Sequence, residues 1–191
     1  MPVSDPTHEK YLELAAEVVA RLKPGSMVLK TDCWNEAVGN CPFDCEHETV
    51  FLEINSSRLA EARARFPQSN FVHGDIRQIP FAPEYFHAVI DLSTNDHVPD
   101  PERAFAEYHR VLKPGGRLLL VTWFADIQVE PMELHEPSDR QYWFHPDEFL
   151  SALQKYFTIE RTIPFPEMHN PDWLRGWPGN RWLQGFMCRK T

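Results

Sequence analysis

The stretch FVHGDIRQIPFAPEYFHAVIDLSTNDHVPDPERAFAEYHRVLKPGGRLLLVT, residues 71–122, alternates strand and helix signals in an order that leaves few folds open. It begins inside a short strand, residues 70–73, that closes on Gly74-Asp75. Residues 86–92 form an apolar run broken only by His87 and Asp91, the pattern of a strand covered on both faces. Asp100-Pro101-Glu102 reads as a helix start, with an acid at the cap position, proline where its missing N–H costs nothing, and a second acid near the positive end of the dipole. That helix runs to Leu112. Lys113-Pro114-Gly115-Gly116 then turns the chain into another apolar strand, residues 117–124.

Working outward from this stretch, residues 5–23 carry Leu12, Ala15, Ala16, Val19 and Leu22 at helical spacing with charged residues between them, and Pro24-Gly25 stops the helix. Residues 27–29 and 50–54 are two short apolar strands. Ser56 is placed to cap a helix over residues 59–66, which Pro67 ends. On the far side, residues 146–155 read as a helix, and residues 157–163 and 182–188 as strands. Only a Pro- and Trp-rich loop, residues 164–180, separates these last two, so they are expected to pair antiparallel, with the loop covering a sheet edge. The reading is a single α/β domain over residues 1–191, with strands and helices alternating as in a doubly wound sheet.

Composition narrows the function classes. The 191 residues are 42% hydrophobic with a formal net charge of −9 and no clustered basic surface, which argues against a nucleic-acid partner and for a small-molecule substrate. No apolar run is long enough to span a bilayer and no leader is visible at Met1, so no membrane partner and a cytoplasmic location are expected. Oligomeric state is not legible.

The order of elements and the text of residues 71–122 resemble the class I S-adenosylmethionine-dependent methyltransferases of type 11. In that family, Gly-Asp follows strand three, Ile-Pro-Phe precedes strand four and Leu-Lys-Pro-Gly-Gly precedes strand five. The resemblance implies a Rossmann-like sheet of about seven strands, mainly parallel with a C-terminal antiparallel hairpin, and S-adenosylmethionine bound at the carboxyl ends of strands one to four. It implies that Glu53 accepts the ribose hydroxyls through its two oxygens, and that Asp75 and Ile76 meet the adenine.

The resemblance fails between strands one and two. The family's Gly-x-Gly-x-Gly loop, where missing side chains let backbone approach the methionine part of the cofactor, is replaced by Val28-Leu29-Lys30-Thr31-Asp32-Cys33-Trp34-Asn35-Glu36. Trp34 stands where the cofactor's carboxypropyl tail lies in the family, and Asp32 receives the cofactor's ammonium only if the register shifts. The following segment cannot form the family's amphipathic crossover helix. It carries Cys33, Cys41, Cys45 and His47, a ligand count that suits a closed tetrahedral Zn site, whose ion would offset the ordering entropy of a long loop. The other reading makes these cysteines small core residues and His47 a surface residue.

Catalytic candidates follow strand four. His97 can act as a general base toward a hydroxyl or amine, and Asp91 ends the same strand; a packing role for His97 is the alternative. Trp123, His135, Tyr142, Trp143 and His145 lie on or after the connection that follows strand five, a usual place for substrate contacts, although aromatic residues there are more often core. Two functions follow: S-adenosylmethionine-dependent methyl transfer to a small molecule, or a methyltransferase-like protein without transfer activity whose Cys/His loop binds a metal or a partner. Metal-assisted chemistry on this fold is a third.

Overall fold

The computed structural model describes residues 6–33, 48–133 and 139–191, without the side chains of Pro6, His8 and Trp173. Helix α1 (Pro6–Ala20) leads into β1 (Met27–Lys30), β2 (Glu48–Glu53), α2 (Ser56–Arg65), β3 (Asn70–His73) and β4 (Phe86–Leu92). Then come α3 (Pro101–Val111), β5 (Leu112–Ala125), the short pair β6 (Met132–Glu133) and β7 (Arg140–Gln141), α4 (Pro146–Gln154), β8 (Phe157–His169) and β9 (Arg181–Lys190).

Seven strands make one sheet in the order β3-β2-β1-β4-β5-β9-β8. Pairing is parallel from β3 through β5, and β9 runs antiparallel to both β5 and β8, as expected where the final connection holds no crossover α-helix, only a 3-10 turn at Asp172–Leu174. Phe86 pairs with Leu112 and Ala88 with Arg117, so Lys113-Pro114-Gly115-Gly116 loops out of register, with Gly115 at φ 71°. That left-handed angle suits a glycine.

Among the described residues two helices cover each face. Phe105 of α3 and Phe149 of α4 meet Leu29, Val89, Leu120 and Phe186 on one side. Leu14, Ala15 and Val18 of α1 pack on Val28, Ile90 and Val121 on the other, where α2 also lays Leu59 and Ala62 against Phe51 and Phe71. Phe149 sits edge-on to Phe105 and Phe124, at ring separations of 5.0 and 5.2 Å. Among the described residues no helix is long and apolar enough to cross a membrane.

Three local expectations are corrected. Asn55, rather than Ser56, caps α2, its side chain accepting from the N–H groups of Ser57 and Arg58 at 2.9 and 3.0 Å. Asp100 stands at the cap of α3 but makes no side-chain capping bond. The strand expected over residues 157–163 continues to His169, which pairs with Trp182, so the loop before β9 is shorter than its Pro and Trp content implies.

Candidate functional site

Parallel strands bring their carboxyl ends to one edge of a sheet, and a ligand crevice belongs there. At that edge a cavity of about 610 Å³ opens between the ends of β1, β2, β3 and β4, within the range of small-molecule sites. Glu53, Asp75, Ile76 and His97 all line it, together with Arg58 and Asp139. Asp32, Cys33 and Asp91 are not among its lining residues.

Glu53 ends β2 and is only 3% exposed. Its Oε1 accepts the Asn55 N–H at 2.8 Å, while Oε2 accepts the Cys33 N–H at 3.3 Å and faces the Cys33 thiol at 3.5 Å. Two carboxylate oxygens offer about four acceptor positions, so capacity remains for hydroxyl donors from the cavity.

Asp75 reaches the cavity already paired. Arg77 donates from its backbone N–H to Oδ1 at 2.8 Å, and from Nε and Nη2 to the carboxylate at 3.0 and 2.6 Å. The guanidinium holds the Asp75 carboxyl below its ordinary range and is itself held more firmly charged. Ile76, nearly buried between them, gives the wall an apolar patch.

At the end of β1, Lys30 has no exposed surface; its ammonium donates to Asp32 Oδ1 at 3.0 Å and to the Asp32 carbonyl at 2.8 Å. Thr94 Oγ1 donates to the other Asp32 oxygen at 3.3 Å. The chain thus sets an ammonium of its own against the acid to which the family resemblance assigned the cofactor's.

After β4 a single turn of 3-10 helix, Asn95–His97, points His97 at the cavity. Its Nδ1 lies 2.8 Å from Asp139 Oδ1, and Arg58 Nη2 donates to Asp139 Oδ2 at 3.3 Å. A carboxylate can only accept, so Nδ1 donates to Asp139, while Nε2 lies 3.8 Å from Asp96 Oδ1. Asp91, by contrast, is fully buried and committed: Tyr108 donates its hydroxyl at 2.6 Å, and the N–H groups of Thr94 and Asn95 donate at 2.7 and 3.2 Å. Burial pushes its pKa up to about 6 despite these donors. Its place is that of an anchor joining β4, the 3-10 turn and α3. Burial also raises the carboxyl of neighbouring Asp96, which accepts from the Ser93 hydroxyl at 2.8 Å.

Of the four proposed metal ligands, Cys41, Cys45 and His47 lie outside the described residues. Cys33 is buried against Glu53, and both its burial and the nearby carboxylate push the thiol well above its ordinary range, which disfavours the thiolate a metal needs. Among the described residues no group of three His, Cys, Asp or Glu side chains could hold a metal.

Sequence reasoning passed over Lys30, Arg58, Arg77 and Asp139. A lysine closing an apolar parallel strand and an arginine two residues after Asp75 were readable signals. Asp139 had none, because its partners are distant in the chain.

A family model described as a methyltransferase domain matches residues 36–120. The chain is 26% identical over 146 residues to phthiotriol/phenolphthiotriol dimycocerosates methyltransferase 1 of Mycobacterium ulcerans, covering 69% of this chain and 54% of that one. It is 32% identical over 111 residues to demethylmenaquinone methyltransferase of Renibacterium salmoninarum, covering 58% of this chain and 46% of the relative. The chain therefore spans about half the length of the curated relatives it matches. The fold coincides with that of 1,6-didemethyltoxoflavin-N1-methyltransferase of Burkholderia thailandensis, solved with 1,6-didemethyltoxoflavin and S-adenosylhomocysteine, at a TM-score of 0.66 and 18% identity over 98% of this chain and 80% of that one. In strand order, and over residues 36–120, less than half of its length, the chain is thus similar to methyltransferases and shares their fold.

Proposed function

We propose that the protein transfers a methyl group from S-adenosylmethionine to a small-molecule acceptor. The observation that carries this reading is Glu53, a nearly buried acid with acceptor capacity left over, on the wall of a cavity of nucleoside size. Its oxygens accept the Asn55 and Cys33 N–H groups and keep acceptor positions that vicinal hydroxyls would fill. Asp75 and Ile76 stand where an adenine would lie between an acceptor and an apolar surface, with the Arg77 ion pair fixing the acid's direction.

S-adenosylmethionine would supply a sulfonium methyl, released to the acceptor as sulfur keeps the bonding pair. What the chain contributes is alignment, the larger part of such a displacement, and a base. His97, steadied through Nδ1 by Asp139, would take the acceptor's proton at Nε2. Zinc at Cys33, Cys41, Cys45 and His47 is a separate reading, in which the metal must displace Glu53 from Cys33; elemental analysis of the purified protein decides it.

Calorimetric titration with S-adenosylmethionine and S-adenosylhomocysteine tests the proposal. Binding of both, weakened in Glu53→Ala, supports it. Absence of binding at millimolar ligand would leave a methyltransferase fold without the transfer activity.

A further inference from the structure

Arg181 opens β9 opposite Ala125, the last residue of β5, at the same edge of the sheet as the cavity but beyond β5. Its side chain is 1% exposed. Nη1 donates to the Pro178 carbonyl at 2.9 Å, whereas Nε and Nη2 find no acceptor among the described residues. The guanidinium carbon lies 5.0 Å from the ring of Trp143 and 5.2 Å from that of Trp177. Trp143 Nε1 is likewise buried without an acceptor. Asp126, the acid whose charge reaches Arg181, is turned to Asn180, accepting from its backbone and side-chain nitrogens at 2.7 and 2.6 Å.

Three buried donors beside one another with no acceptor between them are costly, and a buried guanidinium short of partners most of all. The two unused arginine groups are informative in their identity. Nε and Nη2 form the edge of the guanidinium whose parallel N–H bonds match the two oxygens of a carboxylate. On the side of the indoles the surroundings are apolar: Trp143 packs with Leu174 and Leu183, with Val129 beside them. Trp177, 43% exposed, lies over the guanidinium between Gly176 and Gly179, both at positive φ, in the loop that precedes β9. The cover is thus one indole on a glycine-flanked turn. Trp143 follows Tyr142, whose N–H donates to the Asp96 carbonyl at 2.7 Å, so this cluster is one residue from the turn that carries His97.

We propose that Arg181, Trp143 and Trp177 form an anion subsite that takes the carboxylate of a planar, largely apolar acid, bidentate on Nε and Nη2, with the Trp143 indole N–H as third donor. Combined with the proposed function, on which this second step rests, that acid is the methyl acceptor, held by its carboxylate and methylated at another atom.

The test uses the full chain without S-adenosylmethionine, titrated with sodium benzoate and, as a neutral match, benzamide, while the indole and arginine Nε–H resonances are followed by NMR. Benzoate is expected to shift the signals of Trp143, Trp177 and Arg181, and benzamide at the same concentration to leave them unmoved. Arg181→Gln is expected to weaken benzoate binding at least about tenfold. Arg181→Met is expected to abolish it while raising the melting temperature, because an unpaired buried charge is removed. No benzoate-specific shift in the wild type, or a shift that survives Arg181→Met, would overturn the subsite; the wild-type contrast decides even if the variants fail to fold. The acceptor role requires benzoate and S-adenosylhomocysteine to bind together, and mutually exclusive binding would overturn that role alone. Failure of S-adenosylhomocysteine to bind at all would instead count against the methyltransferase reading and leave the benzoate result standing.

Discussion

The Cys33 thiol lies 3.5 Å from Oε2 of Glu53, and the Cys33 backbone N–H donates to the same oxygen at 3.3 Å. One acid at the end of β2 thus ties down the chain leaving β1 and also accepts the N–H of Asn55, the cap of α2. Glu53→Ala should weaken S-adenosylhomocysteine binding about 10- to 100-fold, the loss of charge-assisted hydrogen bonds. Glu53→Gln, which keeps one acceptor oxygen, should melt closer to wild type than Glu53→Ala does. Calorimetry and thermal melts report the two effects separately, and wild-type affinity in Glu53→Ala would remove Glu53 from the ribose site.

The same contact makes a prediction about reactivity. Burial pushes the Cys188 thiol up to about 12, and burial together with Glu53 pushes Cys33 higher still. Since the thiolate is the nucleophile, both should resist alkylation by iodoacetamide in the native protein at mildly alkaline pH and react once it is unfolded. Peptide mapping by mass spectrometry identifies the modified cysteines; rapid native labelling of Cys33 would show that the Glu53 contact does not hold in solution.

Asp91 sets a pH dependence of stability. Its carboxyl is raised to about 6 in the fold, against about 3.9 when unfolded. Between those values the native state keeps a proton that the unfolded chain has released, so this group's contribution to stability is complete below about pH 4 and lost as pH rises through about 6. The amount is on the order of 2–3 kcal/mol. Asp96 is shifted in the same direction, so Asp91→Asn should flatten the decline without abolishing it. Urea unfolding of wild type and Asp91→Asn between about pH 4 and 7 measures this; parallel curves would contradict it.

His97 carries a kinetic prediction. If its Nε2 takes the acceptor's proton, His97→Asn should lower kcat about 10²- to 10⁴-fold with little change in affinity for S-adenosylhomocysteine. Asp139→Asn should give a smaller loss of kcat, because its carboxylate acts through the orientation of the His97 ring. Unchanged turnover in His97→Asn would assign the ring to packing.

In the core, Phe149→Ala should cost about 3–5 kcal/mol, measured by denaturant unfolding, since the ring is packed by Phe105, Phe124, Phe144 and Phe186. A loss below about 1 kcal/mol would mean that the neighbouring rings collapse into the space.

The fold was legible where local signals coincided. Apolar runs ending on Gly74-Asp75 and Ser93, proline at the start of α3, and the turn at Lys113 to Gly116 each fix an element by short-range chemistry, and the missing crossover α-helix before β9 sets its direction. Of the residues lining the cavity, the sequence pointed to Glu53, Asp75 and Ile76, which end or follow strands, and to His97 after β4. Asn55 caps α2 in place of Ser56 because the helix starts three residues earlier than residue 59, which makes Ser56 its first residue and leaves the extended Asn55 at the cap position. The bridge from Arg58 through Asp139 to His97 joins residues 81 and 42 positions apart. The Arg181 cluster depends on how far β8 continues past Ile163. Such contacts belong to the assembled sheet and leave no periodic trace in the chain.

Lys30 changes what the end of β1 can recognise. An incoming ammonium would have to exchange with one that is covalently tethered beside Asp32, and a tethered competitor acts at an effective concentration in the millimolar range or above. Charge at that end of a ligand is therefore discounted before binding begins. Under the proposed function, selection among ligands that share an adenosine and differ in the amino-acid tail would become shallow, and the discriminating contacts would move to the nucleoside, at Glu53 and Asp75.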